Sequence, residues 1–168
     1  AMEAADQGAK VAVVEKQDHI GGMAFGTEGA FGLNSGMQKD AGVTCPTVGE
    51  CVTEELVYTN YRADADFWHD TFEHSGENID WLGEHGIEFD RVANYNGKST
   101  FECFHWWPGG SGTNMAPAVE AYLATKDNVT VLLETECIDL IEEDGAVTGI
   151  YVKQGDATVA IKAPATLM

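Results

Sequence analysis

The feature that most constrains this chain is the apolar run Val11-Ala12-Val13-Val14, bounded by Gly8 and by Glu15-Lys16 and followed by Gly21-Gly22. A short run rich in β-branched residues, closed by glycine on one side and charge on the other, suits a strand buried on both faces of a parallel sheet. A carboxylate at the end of such a strand sits where open α/β sheets bind ligands. Glu15 there can accept hydrogen bonds from the two hydroxyls of an adenosine ribose. The glycine pair lets backbone approach a flat or charged ligand with no Cβ in the way. On this stretch alone, an ordinary buried strand ending in a solvated Glu remains an equal alternative.

The residues before the strand, Met2 to Gln7, read as the last turns of a helix with Gly8 just past its end. No N-cap precedes them, and Ala163 to Met168 read as the approach to another strand, so the chain reads as an internal stretch of a longer protein. After Gly22 a glycine recurs every few residues through Gly36, with Phe25, Phe31 and Leu33 between. That spacing is poor for a helix, at about 1 kcal/mol per interior glycine. It suits a backbone wrapping a large planar ligand, and the apolar residues argue against a plain surface loop.

From Thr47 the text turns helical. Thr47-x-x-Glu50 is a capping box opening a helix to about Tyr61. A second helix is expected from Asp64 to about Ser75, with Phe67, Trp68 and Phe72 on one face, and a third from near Glu77 to Gly86. These aromatics read as core. His69, His74 and His85 are scattered among acidic residues without a tight metal-binding spacing, so no metal site is assigned. Residues 91–100 read as a loop or hairpin. Then Phe104-His105-Trp106-Trp107 runs into Pro108-Gly109-Gly110-Ser111-Gly112, and Thr113-Asn114 can cap a helix from Met115 to about Lys126. N–H groups at a helix start after glycines can receive an anion or the polar edge of a ring. His105 reads equally well as a hydrogen-bonded core residue. The tail is β: a strand from Val129, then three strands separated by Asp144-Gly145 and Gly155-Asp156, which predicts a three-stranded antiparallel meander.

Composition narrows the partners. Against 28 acidic residues stand 9 basic ones, a formal charge of −19, so no basic face is available for nucleic acid. No apolar run approaches the roughly 20 residues of a membrane span. The four cysteines, Cys45, Cys51, Cys103 and Cys137, show no C-x-x-C or metal pairing and read as free or buried thiols.

The order of these features resembles the flavoprotein subunit of the fumarate reductase and succinate dehydrogenase family, closest in look to soluble flavocytochrome-like fumarate reductases. The helix end with Gly8 to Lys16 looks like the second half of that family's first β-α-β unit. Asn78 to Leu82 with Gly86 to Phe89 resembles its "v-x-W-l…G-v-x-f" region. His105 to Gly112 is similar to its H-R-P-x-G-G-x-G turn, with Trp106 at the Arg position and Trp107 added. Val147 to Val152 resembles its V-x-G-v-x-v strand. The resemblance implies an α/β fold with α+β elements: a partial, Rossmann-like FAD-binding domain with a helical insertion and the meander. It implies four segments, 1–44 for ribose and flavin wrapping, 45–90 for the insertion, 91–126 for the aromatic, Gly-rich turn and helix, and 127–168 for strand and meander.

Carried over by position, Glu15 would bind the FAD ribose, with Lys16, Gly21, Gly22, Met23 and Ala24 along the adenosine and pyrophosphate side. Gly29 and Ala30 would face the flavin, and Cys137 would hold the adenine through its backbone. His105, Gly109, Gly110 and Ser111 would form an active-site turn. The family's substrate-clamping and proton-donating arginines and its substrate histidine would lie after Met168, so no catalytic residue is expected within this chain. The implied reaction is hydride transfer from reduced flavin to the β-carbon of a small unsaturated acid such as fumarate. The electron donor would act through the parent protein. A ketosteroid dehydrogenase, a urocanate-type reductase and a non-catalytic α/β binding module are the alternatives. Unpaired sheet edges would favour a homo-oligomer if the stretch stood alone.

Overall fold

The computed structural model describes residues 1–95, 97, 99–110 and 112–168. They form two compact units, one of Ala1–Gly22 with Glu120–Met168 and one of Met23–Val119.

In the first unit a short helix, α1 (Met2–Asp6), leads through Gly8 (φ 82°) into β1 (Val11–Val14). This strand pairs in parallel with β5 (Val129–Leu132), Val11 opposite Val129 and Val14 opposite Leu132. Val11, Val13 and Val14 are half-buried and Ala12 is exposed. The run is therefore less covered than its apolar character predicts, because the described sheet around it has two strands rather than a broad parallel array. Asn128 ties the helix to this sheet by donating to the Ala5 and Ala9 carbonyls, both at 2.8 Å. Asp6 accepts from Tyr122 at 2.7 Å and pairs with Lys126 at 2.7 Å.

The expected meander is present as β6 (Thr135–Glu143), β7 (Ala146–Gln154) and β8 (Ala157–Lys162), antiparallel and in that spatial order. Asp144 (φ 53°) and Gly145 (φ 79°) make the first turn with both central residues left-handed, the geometry that matches strand twist in a two-residue hairpin. Glu134 (φ 49°) turns the chain out of the parallel pair into β6.

The second unit is built on a small antiparallel sheet: β2 (Gly29–Phe31), β3 (Arg91–Ala93) and β4 (Phe104–Trp106), with β4 in the centre. Three helices accompany it, α2 (Gly36–Asp40), α3 (Val48–Tyr58) and α4 (Ala65–Glu84). The helix α5 (Met115–Ala124) begins in this unit and ends in the other. Thr47 and Glu50 form the expected capping box, and that hydrogen bonding holds the Glu50 carboxyl below its usual range. Asp64 caps α4 by accepting from the Asp66 and Phe67 amides.

Two expectations about α4 need correction. The two helices read on either side of Ser75-Gly76 are one, running unbroken through both residues. Gly76 does not end the helix; it allows a crossing, since a Cβ there would run into the Leu33 carbonyl oxygen. Ser75 Oγ donates back to the Phe72 carbonyl at 2.8 Å and accepts the Leu33 amide at 3.0 Å. The predicted aromatic face is also narrower. Phe72 is buried and packs on Phe31 and Trp68, at ring separations of 4.8 and 5.1 Å, whereas Phe67 is 62 % exposed. Adjacent helix positions point about 100° apart, so Phe67 and Trp68 cannot share one core direction. Leu33, Cys51, Phe72 and Cys103 form the buried centre of this unit.

Candidate functional site

In the first unit the chain leaves β1 at Glu15, whose amide donates to the Leu132 carbonyl at 2.9 Å and whose carbonyl accepts the Thr135 amide at 2.9 Å. The Gln17 carbonyl accepts the Glu134 amide at 2.9 Å. Strand β1 is thus prolonged beside the start of β6, and Glu15 is brought to the segment that carries Cys137. Glu15 as a whole is half-buried, and one oxygen of its carboxylate accepts the Gln17 amide at 2.8 Å. That bond fixes its direction while the second oxygen has no hydrogen-bond partner among the described residues. Lys16 is exposed.

Gly21 (φ 123°) and Gly22 (φ 45°) adopt backbone conformations that L side chains avoid. Among the described residues, its own chain neighbours aside, no atom lies within 4 Å of where a Gly22 Cβ would stand. Cys137 is exposed at the beginning of β6, and the β6–β7 register slips between Cys137 and Asp139. Such a bulge leaves one residue, here Ile138, out of the ladder, a device common beside ligand sites. A directed carboxylate, open glycine backbone and an interrupted strand edge are features that fit the adenosine half of a dinucleotide.

In the second unit the glycine-rich stretch has a different character. A 3₁₀ turn spans Gly22–Gly26 and carries Met23, 92 % exposed, and Ala24. The Ala24 carbonyl is a junction: Thr27 Oγ1 donates to it at 2.7 Å, and a Cβ on Gly112 would collide with it. Trp107 joins the same knot, its Nε1 donating to Thr27 Oγ1 at 3.2 Å and its amide to the Glu28 carbonyl at 3.0 Å. Gly29 and Ala30 lie in β2 opposite Trp106 and His105. The structure therefore gathers Ala24, Gly29, Ala30, His105 and the Pro108–Gly110 turn, in which Gly109 has φ 75° and Gly110 follows it. Ser111 lies outside the described residues.

His105 has no exposed surface. Its Nε2 is 2.7 Å from Ser35 Oγ, and its ring edge packs on Gly32, where a Cβ would stand 3.0 Å from Cε1. Nδ1 finds no hydrogen-bond partner among the described residues. Burial pushes the imidazole pKa down, opposed by the Cys103 carbonyl, the Asp80 carboxylate and the Ala30 backbone. A neutral, enclosed ring is suited to holding β4 and the segment after β2 in register rather than to touching solvent-borne substrate. Ser35 and Gln38, both fully buried, form a second capping box at α2, and Gln38 also donates to the Glu102 carbonyl at 2.8 Å. Sequence reading passed over this pair, although Ser35-Gly36-Met37-Gln38 carries the S-x-x-Q pattern that marks it.

His69, Asp70 and Glu73 bring possible ligand atoms within 4.8 Å of one another on α4, but all three are exposed and read as a solvated helix face. Among the described residues no helix is long and apolar enough to cross a membrane.

The family described as an FAD binding domain matches the chain over residues 1–168. The vinyl phenol reductase of Lactiplantibacillus plantarum is 33 % identical over 155 residues, covering 91 % of this chain and 30 % of that protein. A cytochrome fumarate reductase of Shewanella frigidimarina is 29 % identical over 164 residues, covering 91 % and 27 %. The chain thus spans about three-tenths of the length of these curated relatives. Among solved structures, the open conformation of a flavocytochrome c3 fumarate reductase superposes with a TM-score of 0.85 at 20 % identity, over 96 % of this chain and 29 % of that one. A 3-ketosteroid dehydrogenase from Rhodococcus jostii RHA1 gives 0.75 at 23 %, over 96 % and 40 %. At these identities the structural matches establish the fold alone.

Proposed function

The chain belongs to the FAD binding domain family, and from that membership we propose that it is the cofactor-holding part of an oxidoreductase that reduces an activated C=C bond in a small unsaturated acid such as fumarate. The observation that carries the reading is the Glu15 carboxylate, at the end of a parallel strand with one oxygen fixed by the Gln17 amide and followed by open glycines. Fumarate and a vinyl phenol, the compounds that name the two relatives, share a carbon–carbon double bond conjugated to an electron-withdrawing or aromatic group. The higher identity to the vinyl phenol reductase favours an aryl alkene as the second substrate class to test.

In this proposal Glu15 accepts both ribose hydroxyls, while Lys16, Gly21, Gly22, Met23 and Ala24 line the adenosine and pyrophosphate side. The Cys137 backbone, beside its bulge, meets the adenine edge. Gly29 and Ala30 face the flavin, and Gly109 and Gly110 shape the turn near the reacting end. His105 is a positioning residue, holding β4 through Ser35. When bound and reduced by the electron donor, FAD would supply the two-electron chemistry. The residues of this chain orient the cofactor and exclude water from it.

The test uses the protein carrying this domain, reduced anaerobically and mixed separately with fumarate and with 4-vinylphenol. Rapid return of oxidised flavin absorbance with one alkene is the expected result; reduced flavin that persists with both rejects alkene reduction. Glu15→Gln should weaken FAD binding by about 2 kcal/mol, roughly thirtyfold, the scale of a hydrogen-bonded charge. Unchanged affinity would remove Glu15 from the site.

A further inference from the structure

We propose that Met23 is an oxidation site governed by the cofactor: its thioether is open to peroxide while FAD is absent and covered once FAD is bound. This rests on the FAD site proposed above and adds a modification to it. Met23 is 92 % exposed, more than any other large apolar side chain described before Leu167. Methionine is ordinarily a core residue, a flexible and polarisable filler of apolar gaps. Elsewhere in this chain it behaves so, with Met2 buried and Met37 and Met115 half-buried.

The exposure is not that of a slack loop. Met23 lies in the 3₁₀ turn Gly22–Gly26, and the residue after it is pinned. The Ala24 carbonyl accepts the Thr27 amide at 3.1 Å and Thr27 Oγ1 at 2.7 Å, and a Cβ on Gly112 would collide with it. Before Met23, Gly22 holds a left-handed backbone, φ 45°, and its own chain neighbours aside no described atom lies within 4 Å of where its Cβ would stand. One side of the turn is thus locked onto protein, while the side that bears Gly22 and Met23 is bare. A fixed, apolar, polarisable group beside open backbone suits a flat aromatic ligand, because thioether sulfur makes favourable contacts with aromatic rings. FAD supplies two such rings, and the family to which the chain belongs binds it.

The oxidant is hydrogen peroxide. A lone pair of the Met23 sulfur attacks one peroxide oxygen, the O–O bond breaks, and both protons leave with the other oxygen as water. The sulfur loses two electrons and becomes a sulfoxide, and the peroxide gains them. Oxidation replaces a flexible apolar side chain by a polar, chiral one. The oxidised turn is a poorer surface for an aromatic ring, so peroxide acts on the empty site and keeps it empty.

The test uses the protein carrying this domain in FAD-loaded and FAD-stripped portions, with loading read from bound flavin absorbance. Both receive the same dose of hydrogen peroxide and are digested with trypsin and a glutamyl endopeptidase. Cleavage after Lys16, Glu28 and Lys39 puts Met23 in peptide 17–28 and Met37 in peptide 29–39. The Met23 peptide should gain one oxygen at least severalfold faster in the stripped protein, while Met37 is oxidised alike in both. Equal Met23 rates with flavin demonstrably bound overturn the proposal and leave the FAD site standing, whereas protein that never takes up FAD rejects both. Protection that Met37 shares equally also overturns it, because FAD would then be tightening the fold rather than covering Met23. Stripped protein already oxidised should bind FAD about tenfold more weakly than untreated protein, the scale of a lost sulfur–aromatic contact. In Met23→Leu the same treatment should change FAD affinity little, and an equal loss there would overturn the proposal.

Discussion

Gly22 and Gly32 belong to one glycine-rich stretch, and they do opposite things. At Gly22 the backbone is left-handed and, among the described residues, nothing beyond its chain neighbours fills the space beside it. At Gly32 the space is full: a Cβ would meet Ile79 and the His105 ring. Gly29 and Gly76 are of the second kind, pressed on the His105 and Leu33 carbonyls. The first region is glycine for conformation and for an outside ligand. The second is glycine so that a strand, a helix and a buried histidine can approach. Recurring glycine therefore signals close approach to something, and only the fold says whether that is cofactor or protein.

The contrast can be broken from either side. The largest effect is expected at the packed region. Gly76→Ala forces a methyl group against rigid backbone at Leu33 and should cost about 3 kcal/mol, seen as a lowered urea midpoint. An unchanged midpoint would mean that the approach of α4 to Leu33 is loose and the distinction unfounded. At the open region, Gly22→Ala meets no protein atom and carries only the left-handed backbone penalty, about 1 kcal/mol. Gly22→Asn should recover part of that, because Asn tolerates this conformation. If FAD affinity falls further than stability in Gly22→Ala, the empty space is the ligand's; equal losses would assign it to the fold.

The smallest effect sharpens the packed side. Burial lowers the His105 pKa in the folded state, so below the ordinary imidazole value of about 6.5 the unfolded chain binds the proton more readily. The stability contributed by the neutral ring is complete above that pH and is lost as pH falls from there through the folded value. His105→Gln should flatten this decline between about pH 6.5 and the carboxylate range. Urea midpoints taken across that window in both proteins give the comparison, and parallel curves would show that His105 does not titrate on unfolding.

Much of the fold was legible because its signals are local. Asp144-Gly145 and Gly155-Asp156 mark hairpins through the dihedrals their residues accept, and the Thr47 to Glu50 spacing marks a helix start through two hydrogen bonds within one turn. The run Val11 to Val14 and the acidic residue after it located the strand end where the adenosine half of the cofactor is proposed to sit. These features need only a few neighbouring residues to acquire their meaning, so sequence by itself determined them.

Tertiary structure decided the rest. Ser75-Gly76 reads locally as a break, yet Leu33, 42 residues from Ser75, supplies an amide for the serine and a carbonyl surface for the glycine, and the helix continues. His105 is equally a ligand-facing or a core residue until Ser35, 70 positions away, takes its Nε2 and closes it from water. Cys51 and Cys103 share no spacing rule, and only the packing of the second unit places both in its buried centre. Hydrogen bonds within a turn form wherever the chain is ordered. Burial, close approach and contact between distant side chains exist only after whole elements have packed, and that step fixes the function of an ambiguous residue.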